Sequence, residues 1–339
     1  MEQKGKSFVT LDRWPDGALE TEWRACLEAS DFATHYTAPE YFLEPSPPRG
    51  RRFAVLSFTD GQVSAILTGI RDGQYIQSGL TVRPQIAFSR HANRDQAMTN
   101  LLAGLLAGAP SAKLVDLFVW SEMADLVEPR FRQKQYDGVV LLDLSRGSDS
   151  LFRKFSENKR TNIKKAIKYG VSVAPAKGAD EISAYYRICV EWSLRKNLPI
   201  QTEALFQQNF DLKQNRMLLL ARHESTIIAG VVIRFFPGGV MEYAANSSLQ
   251  SALRLRPNDL LHWRAIEWGC REGLKKYSLG GSHLFLRKFG GQIVPTTRCR
   301  LDLSMFRHYA IRDWFAGQAE RVRPLLPDRL VAATRPLRW

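Results

Sequence analysis

The chain has 339 residues, of which 45% are hydrophobic and 11% aromatic, a composition that is typical of a packed globular protein and excludes general disorder. Its formal net charge of +14 is unusual and favours an anionic partner, such as nucleic acid, an anionic lipid or a phosphorylated substrate. A chain of this length predicts two domains.

Signals for export, membrane insertion and metal binding are weak in this sequence. The first 17 residues have no apolar core, so we expect no signal peptide and a cytoplasmic protein. The longest apolar run, Leu101–Ala109, is too short to cross a bilayer. Four scattered cysteines and six histidines without metal-ligand spacing predict neither a disulfide framework nor a metal site.

Two segments along the chain have the same pattern, about 164 residues apart. Residues 51–70 and 215–235 each predict an apolar strand, a polar turn and a second strand. Each hairpin is followed by a third strand, a helix and a closing strand, at residues 73–79, 94–108 and 113–120 in the first case and 238–247, 257–273 and 275–282 in the second. A repeat of this length indicates a duplicated domain with a mixed α/β sheet.

The polar stretch around Gly147 separates the two repeats, so we predict an N-terminal domain over residues 1–146 and a C-terminal domain over residues 147–306. Residues 307–339 form a basic tail with seven arginines against three acids. The tail has an approximate apolar helical face. It either packs on the protein or lies on an anionic membrane surface, which leaves a peripheral membrane contact open.

Four stretches of the second repeat resemble a known group of enzymes. They are ENKRTNIKKAIKYGV (residues 157–171), MEYAANSS (241–248), LLHWRAIEWGCREGLKKYSLGGS (260–282) and LFLRKFGGQ (284–292). In this order they resemble the FemAB-type peptidoglycan-bridge aminoacyltransferases and the CelD-like acetyltransferases, which have two tandem domains of the GNAT acyltransferase fold. The resemblance covers residues 151–302, and the N-terminal repeat matches in outline.

The resemblance implies an acyltransferase that joins an acyl or aminoacyl group to an amine, with an acceptor in cell-envelope or polysaccharide assembly. The donor is acyl-CoA or aminoacyl-tRNA, bound as a substrate and not as a tight cofactor. An acetyl-CoA enzyme of this fold has a Gly-rich turn after the central strand, but this chain has no glycine between Gly239 and Gly269. Arg254 and Arg256 in that segment are candidate phosphate contacts. In this interpretation the N-terminal domain mainly shapes the acceptor cleft, and the C-terminal domain holds the reacting groups. The rival interpretation is a non-catalytic scaffold that binds RNA or an anionic membrane.

Three residues are candidates for the chemistry of acyl transfer, which needs a neutral amine and a donor for the tetrahedral oxyanion. The resemblance gives Lys288 the role of charged donor, with Phe289 and two glycines after it forming a loop that contacts the substrate. Glu242 is a candidate proton acceptor, or else a solvent-facing edge residue. Tyr243 follows it on the same predicted strand, and alternation puts the two side chains on opposite faces.

Further substrate contacts are predicted in the loop after the closing strand of the second repeat, at Gly280, Gly281, Ser282 and His283. In the resembling enzymes an Asp usually stands at the position of Ser278, so a role of that Asp does not carry over. His262 falls on the polar side of the helix predicted from Pro257, where a surface or packing role is expected.

Residues 155–169 predict a basic amphipathic helix. Lys164, Lys165 and Lys168 lie opposite its apolar face and form a stripe that is either a solvated face or a surface for tRNA. Lys159 projects into the apolar face and Arg160 onto its margin. Either the helix begins after them, or they point inward to a site. The resemblance favours Arg160 as a contact for an anionic group.

Overall fold

A computed structural model describes residues 6–45, 50–211, 215–309 and 311 of the protein. The helices and strands of the first half are, in chain order, β1 (Phe8–Leu11), α1 (Gly17–Glu28), β2 (Gly50–Thr59), β3 (Gln62–Asp72), β4 (Tyr75–Ser78), β5 (Ile86–Phe88), α2 (Arg94–Ala107), β6 (Leu114–Trp120) and β7 (Arg132–Asp143). Short 3-10 helices lie at His35–Thr37, Pro39–Leu43, Ser121–Leu126 and Leu144–Arg146.

The second half begins with two helices that join it to the first. Its elements are α3 (Ser148–Lys154), α4 (Glu157–Lys168), β8 (Ser172–Pro175), α5 (Ala179–Lys196), α6 (Glu203–Asp211), β9 (Arg216–His223), β10 (Thr226–Phe235), β11 (Val240–Ser248), α7 (Pro257–Arg271), β12 (Lys276–Ser278), α8 (Leu284–Arg287) and β13 (Gln292–Asp302). A 3-10 helix at Gln250–Leu255 precedes α7.

The same order of elements occurs twice. We call β1 to β7 the first copy and β8 to β13 the second copy. In both, a short strand and a helix precede a hairpin, a third strand, a long helix, a parallel strand and a final strand. The prediction of a mixed α/β fold made of two related units is therefore confirmed.

Both predicted hairpins form with two-residue turns. Asp60 and Gly61 connect β2 to β3, and Glu224 and Ser225 connect β9 to β10. All four residues have positive φ, between 48° and 77°. Positive φ at both positions matches the right-handed twist of the flanking strands, which explains how such short loops close these hairpins.

The strands named above form one sheet, in the order β1-β2-β3-β4-β6-β13-β7-β12-β11-β10-β9-β8, with β5 beside β3. The final strands are exchanged between the copies. β7 of the first copy pairs with β12 of the second, β13 of the second copy pairs with β6 of the first, and the two exchanged strands pair with each other. The predicted boundary near Gly147 divides the chain by sequence position, whereas the strand pairing connects the two sides of it. The boundary therefore stays a prediction.

Each copy has a large apolar core beneath its long helix, α2 or α7, and the exchanged strands contribute to the core of the other copy. Leu142 of β7 packs with Tyr277 and Leu261 in the core of the second copy. Cys299 and Leu301 of β13 pack in the core of the first copy. Burial of these side chains therefore holds the two copies together in addition to the strand hydrogen bonds.

Within the described ranges, no helix is both long and apolar enough to cross a membrane. The same residues contain no group of three or more His, Cys, Asp or Glu side chains placed to hold a metal ion. The predicted basic tail lies outside the described residues, except for residues 307–309 and 311.

Candidate functional site

Two parallel strands of the second copy, β11 and β12, diverge near the centre of the sheet. The parallel strands β11 and β12 pair only over Val240–Glu242 and Lys276–Ser278, whereas β11 continues beside β10 as far as Ser248. Beyond the last pair, the chain after β12 bonds with β7 instead. Near the point where the strands part lie three predicted site residues, Glu242, Tyr243 and Gly280.

Glu242 is buried on the face of β11 that meets the first copy, and only 4% of it is exposed. Its Oε1 lies 3.6 Å from Nε of Arg83, whose guanidinium covers the ring of Tyr36 at 3.9 Å. Its Oε2 has no hydrogen-bond partner among the described residues. Burial raises the pKa of Glu242 to about 7, against the opposing effects of Arg83 and of a hydrogen bond from Thr34. A carboxyl group with this pKa accepts a proton near neutral pH.

A buried ionic cluster next to Glu242 joins the two copies. Glu44 of the first copy lies 2.8 Å from Nε2 of His35, 2.8 Å from Nε of Arg234 and 2.9 Å from Nη2 of Arg216. Arg234 is the cross-strand neighbour of Glu242 on β10. Burial alone would raise the pKa of Glu44, but His35 and the two arginines outweigh it and hold that pKa well below its usual range. Glu44 therefore stays ionised and fixes both copies at this junction.

Tyr243 lies on the opposite face of β11, against α7. Its ring meets that of His262 edge-on, with 5.0 Å between the centroids, and burial raises the pKa of Tyr243 to about 12. Nδ1 of His262 lies 3.0 Å from the hydroxyl oxygen of Tyr277. The expectation that His262 falls on the polar side of its helix is wrong, because the side chain is only 2% exposed. Burial, with the nearby charge of Lys159, lowers the pKa of His262 to about 3, so the ring is neutral.

Lys159, on α4, is a buried lysine. The helix α4 begins at Glu157 with Ser156 as its cap, so Lys159 lies inside the helix and its side chain points inward. Its Nζ lies 2.5 Å from Oδ1 of Asp259 in the first turn of α7, and the lysine is 2% exposed. The ammonium also lies 3.4 Å from the centroid of the Phe285 ring and 4.1 Å from that of Phe289. One carboxylate and two aromatic faces therefore enclose this cation.

The Lys-Phe-Gly loop packs directly against this ion pair. Lys288 ends α8 and is partly exposed, and its carbonyl accepts a hydrogen bond of 2.9 Å from the amide of Ser156. Phe289 is fully buried. Gly290 has a φ of 70°, and a Cβ there would lie 2.4 Å from the carbonyl oxygen of Lys154, so only glycine fits. The charge of Lys288 is close enough to contribute to lowering the pKa of Lys159, although burial is the main cause.

The residues predicted after β12 form a rim beside α8. Gly280 has a φ of 67°, and a Cβ there would lie 2.8 Å from the carbonyl oxygen of Tyr243. The carbonyl of Gly281 accepts a hydrogen bond of 2.9 Å from Val140. Ser282 and His283 line a shallow depression of about 340 Å³, together with Asp137, Leu284 and Arg287.

The predicted basic residues fall into two groups. Lys164, Lys165 and Lys168 are exposed on the outer side of α4, and Arg254 and Arg256 are exposed just before α7. Arg160 differs, because its Nη1 donates to the carbonyls of Arg153 and Phe155 at the end of α3. The guanidinium thus caps a helix of this chain, and its role as an anion contact stays a prediction.

The beginning of α7 is poorly suited to hold a pyrophosphate. Pro257 at the first helical position has no N–H group, and the side chain of Asn258 bonds to those of Asn246 and Ser248. The third position is Asp259, whose carboxylate already lies at the positive end of the helix. An incoming phosphate at this helix end would therefore meet few free donors, because Asp259 is occupied by Lys159 and Pro257 has no N–H group.

A cleft of about 700 Å³ lies where the two copies meet. Its walls come from the end of β6, from β5 and the beginning of α2 on one side, and from β7, β12 and the Lys-Phe-Gly loop on the other. Lys276, on β12, reaches across with its Nζ 5.1 Å from the centroid of the Phe32 ring. The cleft therefore borders elements of both copies.

Comparisons with known proteins agree with this geometry. The sequence model of the FemAB family matches residues 122–224. The structure of FemX is similar with a TM-score of 0.64 at 11% identity, over 85% of this chain and 96% of that chain. The chain therefore shares the fold of FemX. A search of curated proteins finds no match to the sequence.

Two further solved structures share the fold. The L-PGS protein from Bacillus licheniformis has a TM-score of 0.56 at 13% identity, over 92% of this chain and 98% of that chain. A tandem GNAT protein from the clavulanic acid biosynthesis pathway has a TM-score of 0.51 at 12% identity, over 88% and 98%. The resemblance stated from the sequence motifs, and the two-unit fold it implied, are confirmed.

The sequence analysis did not identify the residues that surround Glu242 and Lys159. Arg83 and Thr34, which contact Glu242, come from the first copy and have no local motif. Asp259 was detectable in part, because a lysine in an apolar helix face needs a buried counter-charge. An acid in the leucine-rich start of α7 was a candidate for that role.

Proposed function

We propose that the protein is an aminoacyltransferase that moves the aminoacyl group of aminoacyl-tRNA to an amine. The observation that carries this proposal is Glu242, a buried carboxyl group with a pKa near 7 at the parting of the central strands. An amine must lose a proton to become a nucleophile, and a base with this pKa works at neutral pH. The similarity to the FemAB family model supports the class of reaction.

In the proposed reaction the amine nitrogen attacks the ester carbon of the aminoacyl group. The new C–N bond forms, and the bond from that carbon to the ribose oxygen of the tRNA breaks. Glu242 accepts the proton that the amine loses, and the leaving ribose oxygen takes up a proton. The ammonium of Lys288 is assigned to the oxygen that becomes negative in the tetrahedral intermediate. Tyr243, on the other face of β11, is assigned to the donor side of the site.

The choice of aminoacyl-tRNA over acyl-CoA is supported by charge. Pro257 and the side-chain bonds of Asn258 leave the beginning of α7 with few free donors for a pyrophosphate. The net charge of +14 and the exposed lysines of α4 favour a large polyanion. Because aminoacyl-tRNA is a cytoplasmic substrate, the reaction is placed in the cytoplasm. Arg254, Arg256 and Arg160 are the proposed backbone phosphate contacts.

The acceptor is proposed to be an amine-bearing precursor of the cell envelope. The resemblance to peptidoglycan-bridge aminoacyltransferases supports this acceptor class. Among proteins of the same fold, one solved domain is named as part of a putative lysylphosphatidylglycerol synthetase from Agrobacterium fabrum, with a TM-score of 0.57 at 10% identity. That name describes an enzyme whose product joins an amino acid to a lipid.

The test of the donor is binding of a mixed aminoacyl-tRNA pool across a salt series, with CoA as competitor. The variant carries Lys164→Glu, Lys165→Glu and Lys168→Glu. The matched control carries three lysine-to-glutamate changes elsewhere, at Lys6, Lys113 and Lys134. We expect micromolar or tighter binding that CoA does not displace and that salt and the α4 variant both weaken. Binding of CoA without tRNA binding would overturn the choice of donor.

The test of catalysis is Lys288→Ala, measured as transfer of a labelled amino acid from the same tRNA pool to a cell-envelope precursor fraction. We expect transfer to be lost while tRNA binding and the thermal unfolding curve stay unchanged, because Lys288 is partly exposed. Exposed Lys196→Ala on α5 is the control. Transfer at the wild-type rate in the Lys288 variant would contradict its role. Wild-type protein that binds tRNA but never transfers would favour the scaffold interpretation.

A further inference from the structure

The segment that carries Lys288 is short and needs support from the rest of the chain. We call residues 284–291, which include α8 and the Lys-Phe-Gly loop, the Lys288 segment. Its helix has only four residues, and a single helical turn is not stable by itself. Within the segment, the amide of Phe289 donates a hydrogen bond of 3.0 Å to the carbonyl of Leu286. The position of Lys288 therefore depends on the groups that pack against this segment.

Lys159 contacts the two aromatic rings that flank Lys288 in the chain. Its Nζ lies 3.4 Å from the centroid of the Phe285 ring and 4.1 Å from that of the Phe289 ring. Residues four positions apart lie on the same side of a helical turn, so both rings reach the same cation. The rings also meet each other edge-on, with 5.8 Å between their centroids. The ammonium is therefore a common partner of both rings.

Asp259 fixes the ammonium at the ring faces from the other side. The distance from Nζ of Lys159 to Oδ1 of Asp259 is 2.5 Å, and the two residues are only 2% and 5% exposed. A cation is attracted to the face of an aromatic ring, and this attraction is stronger where water is excluded. An aliphatic side chain would pack against the rings without this preference for their faces. The charge of Lys159 therefore specifies how the rings of the Lys288 segment are oriented.

The helix of Lys159 also contacts the backbone of the Lys288 segment. Ser156, the cap of α4, donates its amide to the carbonyl of Lys288 at 2.9 Å, and its hydroxyl accepts a hydrogen bond of 3.3 Å from the amide of Lys159. A Cβ at Gly290 would lie 2.4 Å from the carbonyl oxygen of Lys154, so the two backbones are in close contact there. The inner side of α4 thus supports the Lys288 segment, while its outer side has the lysines assigned to tRNA.

We propose that Lys159 is a positioning residue for the proposed transfer. Through the rings of Phe285 and Phe289, it holds the Lys288 segment in the orientation in which the ammonium of Lys288 reaches the oxyanion. This inference rests on the proposed function, because it explains how the group assigned to the oxyanion is kept in place. Lys159 acts through the rings, because it is itself only 2% exposed.

The first experiment compares amide hydrogen exchange in wild type and in a variant that carries Lys159→Met and Asp259→Leu, which we call the charge-free variant. It removes both charges of the buried pair together and keeps side chains of similar size, so we expect it to fold. The matched control makes the same two changes at exposed residues of α5, Lys196→Met and Asp180→Leu. Exchange is followed by mass spectrometry in peptides that cover the Lys288 segment, Ser156 and β11.

We expect the charge-free variant to accelerate exchange in the Lys288 segment and at Ser156 about tenfold more than in β11, because the segment opens locally. The control should leave all three peptides within about twofold of wild type. Phe285→Leu should accelerate exchange of the segment less in the charge-free variant than in wild type, because the ring has then already lost its cation. Equal acceleration of the segment and β11, or equal effects of Phe285→Leu in both backgrounds, would overturn the inference.

The second experiment measures kcat and KM for transfer from aminoacyl-tRNA with the same variants. We expect kcat of the charge-free variant to fall at least about tenfold and KM to stay within about twofold of wild type, because the outer lysines of α4 are unchanged. An unchanged kcat would contradict a positioning role. If the wild-type protein transfers nothing, the proposed function fails. The exchange experiment needs no substrate, so it still decides whether Lys159 holds the segment.

Discussion

Replacement of Glu242 by Gln is expected to change how the stability of the protein depends on pH. Burial raises the pKa of this carboxyl group from 4.5 to about 7 in the folded chain. Between these pH values the unfolded chain has lost the proton and the folded chain still holds it, so wild-type stability falls as the pH rises. The separation is about 2.5 pKa units at about 1.4 kcal/mol each, or about 3 kcal/mol in total.

Glutamine has nearly the same shape and does not titrate, so the variant lacks this loss. The measurement is the free energy of unfolding in urea for variant and wild type at several pH values from 4 to 8. The difference, variant minus wild type, should be about 3 kcal/mol larger at pH 8 than at pH 4. Exposed Glu203→Gln on α6 is the control, and its difference from wild type should stay constant. If the Glu242 variant and wild type give parallel curves across this range, the carboxyl group is not a buried base with a raised pKa.

Three further predictions follow from the same site. The rate of acyl transfer should rise with pH and level off above about 7, because Glu242 acts as a base only after it loses its proton. A rate that is constant from pH 5 to 8 would contradict that role. Lys159→Met should reduce the free energy of unfolding in urea by about 3–5 kcal/mol, because Asp259 is left as an unpaired buried charge. Adding Asp259→Leu should restore most of this stability, and equal stability of the single and double variants would count against the ion pair. Gly280→Ala should lower the free energy of unfolding in urea by at least about 1 kcal/mol, because Gly280 has a positive φ and lies close to the Tyr243 carbonyl. An unfolding curve equal to that of wild type would contradict this prediction.

Local patterns were sufficient to predict the elements of the fold. Apolar runs around Asp60-Gly61 and around Glu224-Ser225 predicted both hairpins, because alternating strands and a polar turn are short-range features. Pro257 at the start of α7 and the apolar period that follows it predicted that helix in the same way. Comparing the two segments then indicated the duplication before any tertiary contact was known.

The pairing of the final strands was not predictable from the sequence. β7 and β13 both have apolar side chains on two faces over part of their length, so alternation does not specify a neighbour. Their exchange depends on contacts between residues far apart in the chain, such as Thr297 with Val119 and Ser278 with Leu141. The predicted division into two consecutive domains follows the order of the chain, and the sequence does not indicate this exchange.

The site shows the same division between local and distant information. A lysine at position 159 in an apolar helix face was visible as an anomaly, and its inward direction follows once Ser156 caps the helix. The environment of Glu242 was not visible, because Arg83 and Thr34 come from another part of the chain. The pKa of about 7 is a property of that assembled environment, since an exposed glutamate on an edge strand would titrate near its ordinary value.

The exchange of strands joins the two copies into one continuous sheet. Gly138 in β7 has a φ of 72°, and a Cβ there would lie 1.9 Å from the carbonyl oxygen of Val294 in β13. The two exchanged strands, which pair antiparallel, are therefore in close backbone contact at a bulge. The cleft of about 700 Å³ lies beside this contact and is lined by Val294. The proposed acyl transfer requires precise placement of the amine against the ester carbon, and a continuous sheet through both copies favours that placement.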